Sequence, residues 1–270
     1  MSATLGVRAP EHRVRRALGS IVPPIIFGIG FVVIWELTVK VFDLKPYFVP
    51  APSAIAEAFA DNIELVKDAA FVSGRNALVG LVAGTVLGVA SAFVLMRFRI
   101  LSEIATPLAV ALNAVPIIVL VSLFLNMYPA TSEMPRRLMV TLIVYFIVLV
   151  NVAKGLRQVQ PVHVELLRSY AASPWDVLRK ARVPNAVPYL FMALKIAAPT
   201  SVITAFVAEY FGGNQNGLGS RITSNMAIAK NAVAWAYVLG ACIVGLTFYL
   251  VSVALESLIT HRRGARPGGE

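Results

Sequence analysis

The sequence is short of charge. Of its 270 residues, 14% are Asp, Glu, Lys or Arg and 58% are hydrophobic, with a mean hydropathy of +0.75. Soluble domains carry roughly 25% charged residues, so a soluble globular chain is excluded. Cysteine is almost absent. The one present, Cys242, sits in an apolar stretch and reads as packing. A disulfide framework and a cysteine-based metal site are thereby ruled out. Histidine is scarce as well: His12, His163 and His261 are too scattered to form a metal cluster. No G-x-x-x-x-G-K-[ST] phosphate loop, H-E-x-x-H or G-x-S-x-G occurs. The nearest stretch, Gly212-Gly-Asn-Gln-Asn-Gly217, lacks the lysine. The sequence therefore assigns no catalytic residue, no metal and no cofactor.

What is abundant is apolar length. Several windows reach the roughly 18–20 residues needed to cross a bilayer. Six spans are expected, at about 21–41, 72–96, 104–127, 138–153, from Pro184 to about 207, and at about 234–258. Barrel strands would be about half as long and alternating, so the fold class is all-α and polytopic. One membrane domain, 21–260, lies between basic tails at 1–20 (Arg8, Arg13, Arg15, Arg16) and 261–270 (Arg262, Arg263, Arg266). The net charge of +10 suggests a polyanion partner, but its distribution argues otherwise. With the N-terminus inside, inner segments hold fifteen Lys/Arg against six acids, and outer segments eight against seven. That asymmetry is the positive-inside rule. It explains the basic excess without nucleic acid and puts both termini in the cytoplasm; the localisation expected with the resemblance described below is a prokaryotic inner membrane.

Between the first two spans, Pro46 to Pro52 cannot be helix interior. Ser53 offers an N-cap to an amphipathic helix over 54–68. Ile55, Phe59, Ile63 and Val66 lie on one face of it, and Glu57, Asp61, Glu64 and Asp68 on the other. Gly80, Gly84 and Gly88 recur four apart in the second span, a spacing that lets helix backbones approach in lipid. Polar residues inside spans are costly and mark candidate pathway positions. These are Asn113, Asn126, Asn151 and Lys195, with Pro116 breaking the third span. Glu36 is placed as a span-end anchor and as the sole intraspan acid. Pro129, Glu133, Pro135, Arg136 and Arg137 are assigned to a loop. Glu209 opens a polar outer loop over 208–232, where it is a candidate to position a gate.

The most informative stretch is 156–184, polar and basic between apolar segments. Pro161 suits a first helical turn, starting a helix that runs to about Tyr170. Ala171 and Ala172 permit a tight join. Ser173 can cap a second helix, with Pro174 at its first position and Asp176 placed like the acid of a capping box. Arg179, Lys180 and Arg182 crowd its last turn, and Pro184 is expected to end it. The product is an exposed helix–turn–helix whose Trp175 and Leu178 need covering, by lipid headgroups or by a protein.

This stretch resembles the E-A-A-x-x-x-G-x9-I-x-L-P loop of ABC (ATP-binding cassette) import permeases. Glu165, Ala171 and Pro184 fall in register with its Glu, Gly and Pro. Leu166 and Leu167 replace the two alanines, Ala181 the isoleucine and Val183 the leucine. The likeness extends over most of the chain and is closest to the nitrate/sulfonate/taurine type. It rests on Val49-Pro-Ala-Pro-Ser53, the Gly-rich second span, Asn113-Ala-Val-Pro116, Pro184-Asn-Ala-Val-Pro188, and Glu209 followed by Gly217-Leu-Gly219. The resemblance implies a type I importer permease working as a homodimer. Cytoplasmic ATPase subunits would dock on Glu165, Leu166, Leu167, Ala171, Ala172, Ser173, Trp175 and Pro184, and a substrate-binding protein would deliver solute outside. It further implies a small solute such as an organic anion or a pyrimidine-like vitamin precursor. An autonomous ion-coupled carrier and a scaffold for a cytoplasmic enzyme are the alternatives.

Overall fold

A computed structural model describes residues 11–98 and 117–264, with side chains over 22–98 and 119–259. Every regular element among the described residues is helical. In order they are α1 (Glu11–Val41), α2 (Pro52–Asp61), α3 (Ile63–Arg97), α4 (Ile117–Met127), α5 (Met134–Arg157), α6 (Pro161–Ser169), α7 (Pro174–Val177), a π-helical turn (Leu178–Arg182), α8 (Val183–Tyr210), α9 (Leu218–Ala227) and α10 (Asn231–Gly264). Five segments are long and apolar enough to cross a bilayer: Val22–Val41, Ile63–Arg97, Met134–Arg157, Pro174–Tyr210 and Asn231–Ile259. The third expected span falls mostly outside the described residues, and α4 is its described end. Asn113 and Pro116 lie outside them too.

The core is the packing of α3 on α5 and of α5 on α8. Three glycines set the first of these contacts. A Cβ on Gly84 would stand 2.7 Å from Thr141 O and from Val144 Cβ, and one on Gly88 2.9 Å from Tyr145 O and Val148 Cβ. Gly80 stands in the same way against Val140. Small residues four apart on α3 thus receive valines four apart on α5, as the spacing requires. Gly84→Val is expected to cost about 1–3 kcal/mol through overpacking, read as a lowered thermal midpoint in detergent. Gly74→Ala is the control. Its new Cβ would meet only Val244, at 3.8 Å, and its midpoint should not fall.

Several expectations need correction. The amphipathic stretch 54–68 is two helices, broken at Asn62, whose N–H and side-chain amide both donate to Ala58 O. Its facing is as read, with Ile55 and Val66 buried and the four acids exposed. Ser53 does not cap α2. It lies inside the helix and donates from its N–H (3.0 Å) and Oγ (2.8 Å) to the Glu36 carboxylate. Glu36, also paired with Lys40 at 2.8 Å, thus ties the end of α1 to the start of α2. Residues 133–137 are not all loop: Pro135, Arg136 and Arg137 form the first turns of α5. The loop expected over 208–232 contains α9.

Candidate functional site

At the loop end of the molecule, the local chemistry folds as its residues dictate. Pro161 occupies the first turn of α6. After Tyr170 the chain reverses at Ala171, which adopts φ +54°. There Ala171 N–H donates to Arg168 O at 2.9 Å, and Ala172 N–H to Leu167 O at 3.0 Å. This left-handed residue stands where the loop pattern has Gly, because only Gly takes that conformation without strain. Ala171→Gly is accordingly expected to raise the thermal midpoint, by about 1 kcal/mol in stability.

Ser173 then caps α7 reciprocally with Asp176. Ser173 Oγ accepts from Asp176 N–H at 3.2 Å, and the Asp176 carboxylate accepts from Ser173 N–H at 3.3 Å. Pro184 does not end this helix. From Leu178 the chain takes a π turn in which Val183 N–H reaches back to Leu178 O, and it continues as α8. The extra residue in that ring carries the helix past the proline. Pro174 to Tyr210 is therefore one 37-residue helical run. It is about 55 Å long at 1.5 Å per residue.

No side chain of α6 is buried. Val162, Leu166 and Tyr170, one helical turn apart, are 60%, 54% and 78% exposed. They form an apolar stripe without an intramolecular cover. Glu165 stands exposed beside it, and Leu167 and Ala172 are half-buried. Trp175 is exposed while Val177 is buried. The base of the loop is clamped to the bundle: Asn185 Nδ2 donates to Gly155 O at 2.7 Å, and Tyr189 Oη to Gln158 Oε1 at 2.8 Å.

At the other end of the same run, Glu209 sits in the last turn of α8, fully buried. Its Oε2 accepts from Ser73 Oγ of α3 at 2.7 Å and from Gly219 N–H of α9 at 3.1 Å. Ser73 Oγ in turn accepts from Leu218 N–H at 2.9 Å. The spacing of Gly217 and Gly219 follows from this contact. A Cβ on Gly217 would collide with the Glu209 carboxylate, and one on Gly219 would stand 2.9 Å from Glu209 Cβ. Next to this latch is a second buried network, which sequence reasoning missed. Arg136, fully buried, donates to Glu133 Oε2 at 2.7 Å, to Asn216 Oδ1 at 3.0 Å, and to the Gly212 and Asn214 carbonyls. Asn76 Nδ2 donates to Glu133 Oε2 at 2.8 Å, and Asn76 Oδ1 accepts from Arg137 Nε at 3.0 Å. Burial pulls the Glu133 carboxyl up. Hydrogen bonds from Asn216, the Arg136 charge and a bond from Asn76 outweigh it and hold the group below its ordinary value.

Among the described residues, the candidate pathway positions Asn126, Asn151 and Lys195 do not bond to one another. Asn126 and Asn151 each donate to the carbonyl four residues back in their own helix, Ser122 O and Ile147 O. Lys195 meets neither solvent alone nor a backbone carbonyl, because its Nζ pairs with Glu256 of α10 at 2.8 Å. Glu36 is therefore not the only acid in a span. The two partners lie 61 residues apart, and no local signal marks them as a pair. Among the described residues no group of His, Cys, Asp and Glu could hold a metal ion.

With this geometry in hand, comparison with known proteins is decisive. Residues 84–264 match the family described as the binding-protein-dependent transport system inner membrane component. A probable ABC transporter permease protein of Haemophilus influenzae is 28% identical over 197 residues, covering 73% of this chain and 79% of that one. The formylaminopyrimidine transport permease protein ThiX of Halalkalibacterium halodurans is 28% identical over 202 residues, covering 73% and 78%. The inward-facing MetNI methionine ABC transporter superposes with a TM-score of 0.58 at 17% identity, over 71% of this chain and 96% of that one, which shows the shared fold. The chain belongs to the inner-membrane components of binding-protein-dependent transport systems, the multi-pass permeases of ABC importers.

Proposed function

We propose that this permease moves a small solute inward under the drive of separate cytoplasmic ATPase subunits that dock on residues 161–182. A soluble binding protein presents the solute at the Glu209 end, and two copies of the chain enclose the pathway. The observation that carries the docking is the apolar stripe of Val162, Leu166 and Tyr170, exposed on a short helix beside Glu165. Such a stripe needs a partner. The Lys/Arg asymmetry supports cytoplasmic placement of this loop and of both termini. The exposed apolar flank of α1, from Ile25 to Ile34, supports a neighbour in the bilayer, lipid or the second copy.

The continuous run from Pro174 to Tyr210 supplies the coupling. Closure of the ATPase pair displaces α6 and α7, the π turn passes that displacement to α8, and the far end of α8 holds the Glu209 latch on α9. Asn113, Pro116, Asn126 and Asn151 are the pathway positions carried forward, with Lys195 entering as a pair with Glu256. The solute is an organic anion such as a sulfonate, or a pyrimidine-like vitamin precursor. The formylaminopyrimidine permease among the relatives supports the second.

Purification of the tagged chain in mild detergent tests the reading. A stoichiometric ATPase that co-elutes is expected. A monodisperse preparation that carries no ATPase and moves solute on a proton or sodium gradient would overturn the proposal in favour of the autonomous carrier.

A further inference from the structure

A cleft of about 820 Å³ opens at the loop end, between the last turns of α3 and the α7–π segment. Its size is that of a ligand pocket. Phe93 and Met96 of α3 form part of its wall, and Trp175 stands at its edge. Arg97, Arg168 and Arg182 line it from three different elements. The neighbouring Lys180 has a carboxylate partner, Asp176 at 3.1 Å. Arg97, Arg168 and Arg182 have none among the described residues; Arg97 only lies over the Phe98 ring, 5.7 Å from its centroid. Three guanidiniums facing one concavity repel one another. An anion between them relieves that repulsion, and a guanidinium fork matches a phosphate as well as a carboxylate.

The occupant must also satisfy the apolar wall. Phe93 and Met96 lie within the membrane-spanning length of α3, Ile63–Arg97. A soluble protein docking from below would bring charge to the arginines but leave that wall bare. The surface free for such a protein is the α6 stripe, which is no part of this cleft. A molecule with a phosphate at one end and hydrocarbon at the other meets both demands. We propose that the cleft holds one anionic phospholipid, its phosphate among Arg97, Arg168 and Arg182 and its acyl chains against Phe93 and Met96. The lipid then joins α3 to the segment that follows the coupling helix and supports that segment from the membrane side. This assignment narrows the proposed ATPase docking within 161–182 to the exposed stripe of α6, Val162, Leu166 and Tyr170, and it does not depend on the solute.

Trp175 is a built-in reporter. The chain has three tryptophans. The other two, Trp35 and Trp235, stack edge-on at 5.5 Å where α1 meets the start of α10. In a Trp35→Phe/Trp235→Phe protein in bilayer discs, Trp175 fluorescence is titrated with acyl-brominated phosphatidylglycerol or phosphatidylcholine, with and without the ATPase subunit. Phosphatidylglycerol is expected to quench at several-fold lower mole fraction. Replacing one arginine by glutamine should weaken that preference roughly fivefold, since a cation near an anionic surface contributes about a factor of that size. The triple Arg97→Gln/Arg168→Gln/Arg182→Gln protein should show none. The triple lysine variant, which keeps the charge, should retain most of it and guards against misfolding as the explanation. Equal quenching by the two lipids overturns the proposal, as does a preference that survives the triple glutamine substitution. Loss of all lipid quenching on adding the ATPase also overturns it, because the cleft would then be a protein-docking surface.

Discussion

Glu165→Arg is expected to abolish ATP-driven uptake while the protein inserts and folds as before. Glu165 is exposed and takes no hydrogen bond or ion pair within the described chain, so its replacement should shift stability by no more than about 0.5 kcal/mol. Under the proposed docking, its value lies in the ATPase subunit that meets α6. Arg168 is three residues away on the same helix, and Arg179, Lys180 and Arg182 follow in the next segment. Glu165 is thus the one acid on α6, and its reversal leaves the helix with cationic charges only. Truncating one partner of a buried charged pair at an interface costs about 2–5 kcal/mol, about thirtyfold or more in affinity. Reversal adds repulsion to that. Uptake into proteoliposomes holding permease, ATPase and binding protein should fall to background, and the ATPase should no longer co-elute. Glu165→Gln, which keeps the shape and loses only the charge, should fall between. Undiminished uptake by the arginine protein would remove α6 from the ATPase interface.

The helix pair over 161–182 was legible because its signals are local. Pro161 at a first helical turn and Ser173-Pro174-Trp175-Asp176 as a capping box each act within four residues. The glycine spacing of α3 was legible for a related reason, since a period of four has one geometric consequence in a membrane helix. Pro184 misled because its ordinary effect assumes an α-helical ring. The π turn from Leu178 admits the proline without breaking the rod, and nothing in the composition announces a π turn.

The far end of the molecule was legible in its parts but not as a site. Glu209 and Gly217-Leu-Gly219 were visible in order along the chain. The latch they form was not, because the same carboxylate also takes Ser73, 136 residues from Glu209. Lys195 and Glu256 were separated in the same way. Charge in the sequence was read as exposure at Arg136 and Arg137, since a loop is the cheapest place for a cation beside a membrane. The structure reverses this for Arg136 by bringing it four acceptors, three of them from residues 212–216.

That reversal sets the largest expected loss of stability. In Arg136→Ala the Glu133 carboxylate keeps its bonds from Asn76 and Asn216 but loses its cation, and the Gly212 and Asn214 carbonyls lose a donor inside the protein. Breaking a buried pair by removing one partner costs about 3–5 kcal/mol. The thermal midpoint in detergent should fall accordingly, while Arg221→Ala, at an exposed position of α9, should leave it unchanged. Arg136→Lys should recover only part of the loss, because one ammonium cannot reproduce a planar fork that reaches Glu133 and three acceptors of the 212–216 loop. The carboxylate gives an independent check. Glu133 is held below its ordinary value near 4.5 in the folded protein. Its contribution is therefore present above that value and is lost as pH falls through the lower folded one. Removing Arg136 takes away part of what depresses it, so the acid sensitivity of the wild-type protein should move to higher pH in the variant. The double variant Glu133→Gln/Arg136→Met should be less destabilised than the two single losses together, because neither side chain is then left as a lone buried charge. Additive losses would mean that the two residues are packed near one another without acting as a pair.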